Sequence, residues 1–231
     1  MTGYFGFIPS TELSNDIHHA RSKAAKATDL LYPYRDHLAK AINDELIEST
    51  LVQVVIHLPT NDKKEAMLKL ANFIKKTSTG LLGQLLAKVD NAQALKSLEF
   101  LQKSTHRDPN GVERVGFEVP EALVEQMKAS FAAIAAGEGK SQRDALKIQF
   151  KLFTDLSIKH YLEDFSKTLE LGLMKRGLAA AAKGTISTAI HIVIDRIIPA
   201  LGKEELMVFA AHYDQMIYTS LSSKKPNIRH A

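Results

Sequence analysis

Apolar residues recur at three- and four-residue spacing along nearly the whole of this chain, and that periodicity commits it to amphipathic α-helices. Leu13, Ile17, Ala20, Ala24 and Leu31 share one face of a first helix, with Arg21, Lys23 and Lys26 off it. A second helix begins at Pro33, whose fixed φ suits a first turn, and runs towards His57. Further stripes follow: Ala66, Leu70, Phe73 and Ile74; the short apolar run Leu81 to Val89; and Ala94, Leu95, Leu98 and Leu101 behind a cap at Asp90 or Asn91.

The period fails between Thr105 and Val119. Asp108-Pro109-Asn110-Gly111 reads as a type I turn, and Val115, Phe117 and Val119 alternate after it. A short β-hairpin at 104–119 is the one place where strand is expected. Helical periodicity then resumes at Pro120. The longest pattern covers 142–171, Gly172, Gly177 and Gly184 are expected to bend the chain, and a last helix runs from Glu204 to about Ser220.

Residues 186–198 are apolar on every side, and a helix of that kind belongs in the middle of a bundle. The expected fold is therefore all-α: seven or more helices around a central apolar helix 186–198. Ile190, Val193 and Ile197 should be almost wholly buried. The chain reads as a single domain, 1–221, made of two helical halves (about 1–104 and 119–221) on one core. Residues 222–231 read as a disordered basic tail.

Composition narrows the chemistry. Cysteine is absent, so disulfides, thiolate nucleophiles and Cys-based metal sites are excluded, and a cytoplasmic location is expected. The net charge of +4 comes from two regions, with 9 basic against 5 acidic residues over 61–110 and 8 against 4 over 171–231. Lys63, Lys64, Lys69, Lys75 and Lys76 form a stripe without aromatic interleaving, which reads as a solvated face, so nucleic acid is not expected as a partner. The segment from Leu178 to Leu201 approaches membrane length but carries Lys183, His191, Asp195 and Arg196. It is read as a buried helix and not as a membrane span.

Gly137-Glu138-Gly139-Lys140-Ser141 ends like a phosphate-binding loop but lacks the earlier glycine and a preceding strand, so it reads as a helix connection. No Gly-x-Ser-x-Gly elbow appears. What stands out is a set of ionisable residues on faces that should be buried. Glu45 lies among Leu38, Ala41, Val52 and Ile56; His160 and Asp164 lie four apart on a broad face with Phe150, Phe153 and Tyr161; and His191 and Asp195 are also four apart.

Glu45, His160, Asp164, His191 and Asp195 are therefore the candidate buried polar cluster. The cluster has two readings. In one, each group is satisfied separately, His160 by Asp164 or a carbonyl and Glu45 by a Lys or Arg. The protein is then a cytosolic helical binding or regulatory protein, acting through a hydrophobic inter-helix groove or pocket. Its partner would be another protein or a small apolar ligand, with homo-oligomers allowed and neither cofactor nor bound metal required. In the other, Glu45, His160 and Asp164 meet at one site, and the chain is a metal-dependent or cofactor-using oxidoreductase on a helical bundle. The doubled Glu-x-x-His signature of dinuclear bundles is missing, and no catalytic residue is assigned. The first reading is favoured.

Overall fold

The computed structural model describes residues 2–26, 29–58 and 62–220; the expected tail lies outside these described residues. In chain order the elements are β1 (Thr2–Phe7), α1 (Thr11–Lys26), α2 (32–56), α3 (Asp62–Leu85) and α4 (Asn91–Lys103). They continue with β2 (Thr105–Arg107), β3 (Glu113–Val119), α5 (Glu121–Ala135), α6 (139–167), α7 (Leu173–Ala200), α8 (Lys203–Asp214) and β4 (Ile217–Ser220). Eight helices thus form the fold among the described residues, including an apolar one that carries 186–198.

Local chemistry explains most of the boundaries. Pro33 occupies the first turn of α2, and the Asp90 carboxylate accepts from the Gln93 backbone N–H to cap α4. The 108–111 turn closes with the Gly111 N–H donating to the Asp108 carbonyl, while the Asp108 carboxylate takes the N–H groups of Asn110 and Val112. Gly111 has φ +80°, a conformation that favours glycine. The Leu81–Val89 run is not an element of its own, because α3 continues as helix to Leu85.

Two helices contain a π turn. In α2 the turn is Glu48–Val52, and in α6 it is Lys159–Asp164. Such a turn adds a residue to the helical circuit and leaves carbonyls seeking other partners. In α2 they are met from α8: His212 Nε2 donates to the Ser49 carbonyl at 2.8 Å, and the Tyr213 hydroxyl donates to that of Thr50.

Strand extends beyond the expected hairpin. β2 and β3 do pair, but β1 and β4 complete a four-stranded antiparallel sheet in the order β2-β3-β1-β4. The last helix accordingly ends at Asp214 and not near Ser220. β1 is too short and too rich in glycine for its alternation to be read, and β4 is fixed by pairing with β1, a contact more than two hundred residues away in sequence. Gly116 faces Gly6 across β1 and β3, and a Cβ there would stand 1.8 Å from the Phe5 carbonyl oxygen. The inner face of the sheet, through Phe5, Val115, Phe117 and Ile217, joins a core that continues through Phe150, Phe153, Phe209 and Tyr213.

The 28-residue α7 packs along α3 and α6. Gly177 and Gly184 sit inside it without ending it, since the helix is held by those neighbours and not by intrinsic propensity. Ile186, Ile194, Ile197 and Ile198 are buried, yet Ile190 and Val193 are only partly so and Ile192 is exposed. Its apolar 18-residue window is 11% buried, which corrects the expectation of a buried helix. By length and composition alone it could cross a membrane. Lys151–Asp195 and Lys183–Glu163 ion pairs tie it to α6.

Candidate functional site

The five expected polar residues do not converge. The Glu45 carboxylate accepts from the backbone N–H of Ser10 at 2.9 Å and from its hydroxyl, thereby holding the start of α1. His160 Nε2 bonds the Ser104 hydroxyl at 2.8 Å, not Asp164. Asp164 instead takes Lys159 at 2.9 Å and Lys167 at 2.7 Å. Each has a nearer partner: the Ser104 hydroxyl for the imidazole and two lysine ammonium groups for the carboxylate. His191 Nε2 lies 3.0 Å from Asp155 Oδ1, and Asp195 pairs with Lys151 at 2.7 Å on the half-exposed outer side of α7. The groups are held separately: Ser10 and Ser104 replace the partners expected for Glu45 and His160, and His191 Nε2 stands near Asp155 without a hydrogen bond. Among the described residues, no three His, Cys, Asp or Glu side chains are grouped to hold a metal ion.

His160 nonetheless has a distinctive setting. Its ring lies 4.8 Å from that of Phe100, 5.2 Å from Phe117 and 4.8 Å from Tyr161. Burial among these rings pushes its pKa down to about 4, against a weaker upward pull from the Asp164 carboxylate. It is therefore a neutral imidazole near pH 7. Asp164 behaves oppositely: burial raises its pKa, but Lys167 and Lys159 outweigh that and hold the carboxyl below its usual range.

Around Tyr161 the helices leave a cavity of about 150 Å³. α2 contributes Ile42, Leu46 and Leu51 to its wall, α3 contributes Ile74 and Leu81, and α6 contributes Phe153, Ile158, Tyr161 and Leu162. Leu101, Ile186, Ile190 and Tyr213 complete the lining of this partly open space from α4, α7 and α8. Both π turns belong to the wall, through Thr50 and Leu51 on one side and Tyr161 and Leu162 on the other.

Four hydroxyls in the wall bond carbonyls of their own helices, while Asn43 reaches Thr79 on α3 at 3.4 Å and Tyr213 donates to Thr50 on α2. Thr50 donates to the Leu46 carbonyl, Thr154 to Lys151, Ser157 to Phe153 and Ser78 to Lys75. With those four hydroxyls occupied by backbone, the wall offers mainly carbon. The Tyr161 hydroxyl is buried without a hydrogen-bond partner, and burial holds its pKa far above the ordinary phenol value. Water gains few partners in a space of this kind.

Sequence reading placed Tyr161, Phe153 and Ile190 on inward faces, but not the cavity that they share. The two π turns carry no sequence signal, because the turn type follows from how the flanking helices pack. Arg35, 1% exposed, was also hidden: it lies under α2, bonding the Asp36 carboxylate and the Ala87 carbonyl. The chain matches no known protein family, no characterised protein and no solved structure.

Proposed function

We propose that the protein is a helical binding or regulatory protein that takes a small apolar ligand into the cavity between α2, α3, α6 and α7. The carrying observation is the mainly apolar space of about 150 Å³ to whose lining both π turns contribute. A cavity of that size lined by Leu, Ile and Phe is known to stay dry and to bind benzene. π turns concentrate at functional sites, where they trade regular helix for a local shape that a ligand can use. A chain without cysteine suits a reducing compartment such as the cytosol.

Binding would be read as a thermal shift with toluene, naphthalene and n-octane as probes. At a hundredfold excess over Kd, a ligand confined to the native state adds about 2.7 kcal/mol. For a chain of this size that is roughly 5–11 °C in Tm. Ser157→Leu extends carbon from the wall into the cavity; it should raise the Tm of the free protein and abolish the probe-induced shift. Ser157→Ala should retain the shift. If none of the probes moves Tm, or if Ser157→Leu shifts as wild type does, the cavity is not a binding site.

A further inference from the structure

Leu162 stands in two walls. On one side it lines the apolar cavity, and on the other it lines an open groove of about 520 Å³ between α6 and α7. Glu163, Lys167, Glu170, Arg176 and Lys183 give this groove its charge. Most of that charge is cancelled within the protein. Glu163 takes Lys183 at 2.6 Å and Lys167 at 3.3 Å, Lys167 also takes Asp164, and Glu170 pairs with Lys96.

Arg176 is the exception. Exposed on the groove, it donates from Nε to the Leu171 carbonyl at 2.6 Å, and no carboxylate among the described residues pairs with it. A guanidinium with free terminal N–H groups can take a carboxylate through two parallel hydrogen bonds.

Building on the cavity reading above, we infer that the ligand is an amphiphile with a single negative charge. Its apolar part occupies the cavity behind Leu162, and its carboxylate is held by Arg176 in the groove. One unpaired cation beside Glu163 and Glu170 suits a monoanion.

The test is calorimetric titration of the full chain with octanoate and with 1-octanol, which share a chain and differ in the head. Octanoate should bind about 10- to 100-fold more tightly than octanol, in line with a charge-assisted bidentate pair. Arg176→Gln should remove that advantage while leaving octanol affinity unchanged, and the retained octanol binding shows that the variant is folded. Octanol binding together with octanoate affinity indifferent to Arg176→Gln would overturn the head-group assignment and leave the cavity standing. Binding of neither compound, with toluene and naphthalene also silent, would overturn both.

Discussion

His160 shows how one side chain can be forced into a single protonation state by its neighbours. An imidazole in an unfolded chain titrates near 6.5, whereas the ring packed against Phe100 and Phe117 is held at about 4. Because the folded pKa is depressed, the native state binds fewer protons than the unfolded one between those values. The contribution is complete above pH 6.5 and is lost as pH falls towards 4. On this basis His160 should cost about 2–3 kcal/mol of stability between pH 7.5 and pH 4.5. His106 and His212, whose pKa values burial also lowers, act in the same direction. Urea unfolding at the two pH values, in wild type and in His160→Gln, isolates the term, since the variant should lose less on acidification. A His160 ring that titrates with an ordinary midpoint by NMR would refute the account.

At the scale of elements, the sheet depends on two glycines meeting. Gly116 and Gly6 face each other across β3 and β1, and a methyl group at 116 would strike the Phe5 carbonyl and the Gly6 backbone. The obstacle is main chain, which cannot swing aside as a long side chain can. Gly116→Ala should therefore destabilise the protein by roughly 1–3 kcal/mol or more, measured by denaturant midpoint at unchanged slope. Gly80→Ala, where nothing lies within 4 Å of the new Cβ, is the matched control and should be neutral to stabilising. Equal effects of the two would show that the β1–β3 register is not as described. The π turns are elements of the same tertiary origin: the one in α2 persists because His212 and Tyr213 take the carbonyls that its geometry releases.

For the molecule as a whole, α7 marks where the core ends. Ile198 is buried under it while Ile192 is 45% exposed, so Ile198→Ala should cost about 2–5 kcal/mol and Ile192→Ala within roughly 0.5 kcal/mol. Comparable losses from both would mean that the outer face of α7 is covered in solution. Hydrophobic periodicity alone determined the helical class, the breaks at Pro33, Asp90 and Pro120, and the turn at 108–111, because caps, prolines and a 3.6-residue period act within a few residues. It also placed Phe153 and Tyr161 on the inward face of one long helix. Tertiary structure alone decided the rest. β1 and β4 are strands only because their partners are distant in the chain. The pairing of Glu45 with Ser10 and of His160 with Ser104 depends on which helices touch. The cavity and its neighbouring groove are spaces left between helices, and no single segment encodes a space that several segments fail to fill.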